Sequence, residues 1–221
     1  MTTASNVIES ELIDLVRQGR VILFLGSGAS LGAKDKDGHE MPSTKQLSDR
    51  IAEKFLSAEY KNADLQTVYD LACSNRSTRE AQRFLHDTLI DFQPTDEHLL
   101  LPKFSWAGLA TTNYDLLIER AFDAAGQRVD VYAHDGGLDL TARDARTALY
   151  LKLHGSVLDF ENIDAPLVTS TEQILNYKKG RANLFKQFLE WGQTQSHCVH
   201  RVPSGSEQCV TTTPARSKSG G

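Results

Sequence analysis

Val21-Ile22-Leu23-Phe24-Leu25-Gly26-Ser27-Gly28-Ala29-Ser30 is the stretch that decides the fold. Five consecutive apolar residues stop at a glycine, which is how a central strand buried on both faces of a parallel sheet reads. The glycine-rich run that follows lets backbone approach a phosphate closely, and its N–H groups offer partial positive charge to an anion. A tight turn without a ligand is the alternative reading of this segment alone. Two familiar phosphate loops do not fit it. The nucleoside-triphosphate loop ends in Gly-Lys-Ser/Thr, and here the first lysine after the glycines is Lys34. The dehydrogenase fingerprint needs a second strand ending in an acidic residue, whereas Asp35, Asp37 and Glu40 lie in a polar loop.

Working outward, Val7, Ile8, Leu12, Leu15 and Val16 have helical spacing and end at Gly19. Downstream, Ser43 with Gln46 forms a capping-box pattern ahead of Leu47, Ile51 and Phe55. Two more helices are expected, around Asn62–Cys73 and after Ser77 with Glu80, so residues 43–92 read as a helical insert. Alternation of strand and helix then resumes: Gly108–Thr111, a helix over Leu116–Ala125, Val129–Tyr132, Leu149–Leu153 and Leu167–Thr169. Ser170 with Gln173 suggests one helix cap, and Leu184, Phe185, Phe188 and Leu189 mark the last helix. The pattern predicts an α/β, Rossmann-like, doubly wound parallel sheet carrying a helical insert. Residues 1–192 form that domain, and residues 193–221, rich in Ser, Thr, Gly and Pro, read as a disordered or aberrant tail.

Composition narrows the function classes. The chain has 221 residues, a net charge of -5 and a pI near 5.8, which argues against direct nucleic-acid binding. Its three cysteines suit a reducing cytoplasm better than a disulfide framework, and Cys198, His200 and Cys209 are too few and too poorly spaced for zinc. The longest apolar run, Val21–Leu25, is far short of a membrane span.

Two further segments carry chemistry. Thr111-Thr112-Asn113-Tyr114-Asp115 follows the second strong strand, at the end that faces the ligand crevice in an open α/β sheet. Helix capping by Thr112 or Asn113 accounts for one such side chain and not for the cluster. Leu151-Lys152-Leu153-His154-Gly155-Ser156 delivers a histidine from a buried strand, a suitable place for a base near neutral pH. His39, His86, His98 and His134 lack such a setting and read as structural.

In this order and spacing, the three segments resemble the sirtuin-like (silent information regulator) family, in its bacterial NAD-hydrolysing branch. Gly26-Ser27-Gly28-Ala29-Ser30 resembles the family's Gly-Ala-Gly-x-Ser loop, Thr112-Asn113-Tyr114-Asp115 its Thr-x-Asn-x-Asp signature, and Leu153-His154-Gly155-Ser156 its Leu-His-Gly segment. The resemblance implies NAD⁺ as substrate, with its pyrophosphate on Gly26, Ser27, Gly28, Ala29 and Ser30. Asp115 would hold the nicotinamide carboxamide, Asn113 the ribose and attacking water, and His154 would be the base. Thr112, Gly155 and Ser156 complete the implied binding set. The reaction implied is NAD⁺ glycohydrolysis without a metal, in a cytoplasmic antiviral defence effector acting as a homo-oligomer or with a partner protein. The alternatives are a truncated, non-catalytic NAD or ADP-ribose-binding module and an NAD-dependent deacylase. Deacylation is disfavoured, because the Pro-Asp-Phe-Arg stretch and the paired Cys-x-x-Cys zinc ligands of deacylating sirtuins have no counterpart here. No zinc module is expected, and the family's closing strand with its Gly-x-Ser-Leu turn has no match between Gly192 and Gly221, so the C-terminal part of the sheet is expected to be truncated.

Overall fold

The architecture comes from a computed structural model that describes residues 4–136, 147–162, 164–167, 180–194, 197–201 and 210–212. The apolar run at 21–25 is β1 (Val21–Leu25), and it lies inside the sheet. It pairs in parallel with β2 (Gly108–Thr111), setting Leu25 opposite Thr111. Beyond β2 comes β4 (Ala148–Lys152), and beyond that the edge strand β3 (Val129–Tyr132), both parallel. The β2 strand is buried along its whole length and β4 almost so, as expected of strands covered on both faces. This is the α/β, Rossmann-like arrangement expected from the alternation.

The helices are α1 (Ala4–Arg17), α2 (Thr44–Phe55), α3 (Leu65–Asn75), α4 (Thr78–Leu89), α5 (Leu117–Ala124) and α6 (Ala182–Thr194). Their starts follow local chemistry. Ser43 accepts from the Gln46 amide at 3.3 Å while Gln46 Oε1 accepts from the Ser43 amide at 2.8 Å, a complete capping box. The Ser77 hydroxyl accepts from the Glu80 amide in the same way. The second insert helix begins at Leu65 rather than Asn62, because the Asp64 carboxylate caps it through the Thr67 amide at 2.9 Å.

Helices α2–α4 form one apolar cluster with the sheet domain. Leu47, Ile51, Val68, Leu85 and Leu89 pack with Tyr114 and Leu117 from the β2–α5 connection and with Val157 from the segment after β4. The insert is therefore a wall built against the ends of β2 and β4. Arg120 of α5 ties it down further by donating to the carbonyls of Ile90 (2.6 Å) and Phe92. On one face of the sheet, α6 lays Trp191 against β2. A Cβ at Gly108 would come within 2.5 Å of that ring, so only glycine permits the contact.

Two expectations differ from the structure. Leu167 is not in a strand. Its amide donates to the Gln82 side chain at 2.6 Å, so a buried glutamine from α4 takes the place of a neighbouring strand. Val168, Thr169 and the proposed cap at Ser170 lie outside the described residues. The second difference concerns the tail. The backbone of β5 (His197–Arg201) pairs in parallel with β1, and β6 (Val210–Thr212) pairs antiparallel with β5. The sheet thus runs β3-β4-β2-β1-β5-β6 and continues past α6, where composition predicted no regular structure. The physical reason is the second edge of β1, whose backbone groups need partners whatever side chains the pairing strand carries.

Candidate active site

The strand β1 ends in a single 3₁₀ turn, Ser27–Ser30, and this turn is the glycine-rich segment. Gly26 is extended (φ -101°, ψ -174°), and neither Gly26 nor Gly28 has positive φ. Glycine at these positions is therefore not demanded by an unusual backbone. Gly28 leaves the cavity wall bare of a side chain, which suits close approach of a ligand.

The exit of β2 is fastened onto that turn. Thr111 donates its hydroxyl to the Leu25 carbonyl at 2.8 Å and accepts from the Asn113 amide at 2.9 Å, so it pins the end of β2 to the end of β1. Asn113 Nδ2 donates to the Gly26 carbonyl at 3.0 Å and to Ser30 Oγ at 2.8 Å. A carbonyl only accepts, so the nitrogen of the carboxamide must face Gly26, and both its hydrogens are engaged. The Ser30 hydroxyl passes the chain on to Asp115 Oδ2 at 2.6 Å, and Asp115 Oδ1 accepts from the Leu117 amide at 3.2 Å. Asp115 thus holds the first amide of α5 with one oxygen and anchors the turn with the other. With both amide hydrogens engaged, the Asn113 carboxamide keeps only its Oδ1, an acceptor, for other partners.

The exit of β4 brings His154, which is half-buried beside Tyr114 with ring centroids 6.4 Å apart. Burial pushes the imidazole pKa down to about 4, and the Arg181 guanidinium adds to the effect. His154 is therefore neutral at physiological pH. Burial also raises the Tyr114 hydroxyl pKa, keeping it a neutral hydrogen-bonding group.

These strand ends share one cavity of about 540 Å³. Of the expected residues, Ser27, Gly28, Ser30, Thr112, Asn113, Asp115 and His154 border it. Gly26, Ala29, Gly155 and Ser156 are not among its lining. Gly26 acts through its carbonyl, and the Ser156 hydroxyl accepts from the Leu158 amide at 3.4 Å. Gly155 has φ +99°, and a Cβ there would lie 2.8 Å from an Arg181 nitrogen, so this glycine serves packing. Arg181 itself is buried, donating to the carbonyls of Ala133, Ala165 and Pro166 at 2.8–2.9 Å.

Sequence reasoning missed the opposite wall. Met41, Ser43, Thr44 and Lys45 border the cavity at the start of α2, with Leu47, Leu65 and Leu89 behind them. The capping box located this helix start but carried no sign of which way it faces. Among the described residues, Asp35, Asp37 and His39 form the one group whose potential metal-binding atoms lie within 4.8 Å of one another. Their mutual hydrogen bonds account for the grouping, with Asp35 accepting from the Asp37 and His39 amides at 2.9 Å and facing His39 Nδ1 at 3.0 Å.

A sequence profile of the SIR2-like domain matches residues 107–199. The matched span starts just before β2 and reaches into β5, so it contains Thr112–Asp115 and His154. The chain is also 26% identical over 153 residues to the NAD(+) hydrolase ThsA of Acinetobacter baumannii (strain 532279). That match covers 67% of this chain and 30% of the relative's length. Among the described residues, no helix is long and apolar enough to cross a membrane.

Proposed function

We propose that this SIR2-like domain hydrolyses NAD⁺ at the nicotinamide–ribose bond, giving ADP-ribose and nicotinamide. The observation that carries the reading is the convergence of the Ser27–Ser30 turn, Asn113, Asp115 and His154 on one cavity at the ends of β1, β2 and β4. The name of the relative, an NAD(+) hydrolase, supports it from the side of the sequence.

In this reading the pyrophosphate lies along the bare wall at Gly28, and the Asp115 carboxylate, already fixed by Ser30 and Leu117, accepts from the nicotinamide carboxamide. Asn113 Oδ1 accepts a hydrogen from the attacking water or a ribose hydroxyl. The C1′–N bond breaks and its electron pair neutralises the pyridinium as nicotinamide leaves. Water oxygen bonds to C1′, and its proton passes to His154 and then to solvent. The transition state carries positive charge on the ribose, as in other glycosyl transfers. A neutral imidazole is compatible with that charge where an imidazolium would oppose it. The incoming diphosphate, being anionic, raises the basicity of His154 as it binds. No metal is assigned to the reaction.

Consumption of NAD⁺ harms the cell that performs it, which suits a cytoplasmic antiviral defence effector restrained by self-assembly or a partner chain. A non-catalytic ADP-ribose-binding module is the second reading, favoured by the low basicity of His154. The test is nicotinamide release from NAD⁺ by the purified chain, beside an ADP-ribose binding isotherm. Hydrolysis is expected, and Asn113→Ala should slow it by on the order of 10² while binding falls much less, because only positioning is lost. Binding of ADP-ribose with no nicotinamide release from the unaltered chain would establish the second reading.

A further inference from the structure

Lys152 is the last residue of β4, two positions before His154, and it is fully buried. An ammonium carries three hydrogens and accepts none. Here all three have acceptors: the Tyr114 carbonyl at 3.3 Å, the Asp115 carbonyl, and Glu119 Oε1 at 2.7 Å. Two of these acceptors are backbone groups of the loop that carries Asn113 and Asp115, and the third belongs to α5, the helix which that loop starts. One side chain on the strand leading to His154 therefore holds the neighbouring strand's catalytic loop.

The arrangement is costly. Removing a lysine from water costs several kcal/mol, and apolar residues of similar volume commonly replace buried ion pairs without loss of stability. Glu119 Oε2 is also buried without a hydrogen-bond partner. Stability alone does not explain such an arrangement, whereas a fixed distance between two loops does. The loops meet a second time where the Val157 amide donates to the Tyr114 carbonyl at 3.0 Å, so Tyr114 is gripped from both sides of His154.

We infer that Lys152 is a positioning residue, which locks the Asn113–Asp115 loop to the His154 strand in the geometry that the reaction needs. This rests on the hydrolase reading and assigns Lys152 no contact with substrate. It follows that turnover depends on Lys152 while pyrophosphate binding at the Ser27–Ser30 turn does not. In the full chain, Lys152→Met should cut nicotinamide release per folded molecule at least roughly tenfold while ADP-ribose affinity stays within about threefold. Amide exchange at Leu117 and Val157, whose hydrogen bonds the loop supplies, should quicken while exchange in β1 does not. Lys152→Arg, which keeps the charge and donors with altered geometry, should fold and show a milder form of the same split. It decides the matter if the methionine variant does not fold. Unchanged turnover, an affinity that falls in step with turnover, or exchange that quickens uniformly would overturn the assignment. If the unaltered chain releases no nicotinamide, the hydrolase reading fails, and exchange at Leu117 and Val157 still decides whether Lys152 holds the loop.

Discussion

At the scale of single residues, the site is set by which atoms are already spoken for. Asn113 spends both amide hydrogens on Gly26 and Ser30, and Asp115 spends one lone pair of each oxygen on Ser30 and Leu117. What remains on these side chains is a set of acceptors, which in the proposed reading would take the hydroxyl and carboxamide hydrogens of NAD⁺. His154 belongs to the same logic, since burial and Arg181 keep it neutral and able to accept a proton. Its imidazole should titrate near 4 by NMR rather than near the ordinary 6.5, and its pKa should rise once ADP-ribose is bound. His154→Ala should abolish nicotinamide release with the fold intact. Wild-type turnover in that variant, or an unbound ring titrating near 6.5, would remove the assigned role.

At the scale of elements, the helical insert matters as much as the sheet. The capping box of α2 fixes where the helix begins, and that point borders the cavity through Ser43 and Thr44. Ser43→Ala removes the side-chain acceptor and should cost about 1 kcal/mol. In a domain of this size that lowers the melting temperature by roughly 2–4 °C. ADP-ribose binding should weaken with it, because the first turn of α2 frays on the cavity side. An unchanged melting temperature with unchanged binding would mean that the wall is held by Leu47 and Ile51 packing alone. The glycine-rich turn shows the opposite balance. Its position was readable from the sequence, yet its backbone angles are ordinary, and Gly28 leaves the cavity wall without a side chain.

For the whole molecule, the depressed His154 pKa links the site to folding. The unfolded chain holds this histidine near 6.5 and the folded one near 4, so acid favours unfolding between those values. The stabilisation is complete above about pH 6.5 and is lost as pH falls toward about 4. Its ceiling is about 3 kcal/mol, trimmed by the water that reaches the half-buried ring. Denaturant midpoints should therefore fall less in acid for His154→Gln than for the unaltered chain, and equal slopes would contradict the burial argument. The sequence by itself determined the β1 strand and its glycine turn, the helical insert with the caps of its first and third helices, and the two polar strand ends at Thr112–Asp115 and His154. Each of these is written in neighbouring residues, as an unbroken apolar run, a cap three residues from its partner, or a polar break after a strand. Tertiary structure alone decided that Ser30, Asn113 and Asp115 close into one hydrogen-bonded network, that α2 faces the cavity, and that Lys152 and Arg181 lie buried beneath the site. It also paired residues 197–201 with the open edge of β1, where composition gave no hint of a strand. These contacts join residues dozens of positions apart, and no local spacing encodes them, because they exist only once the sheet has brought its strand ends together.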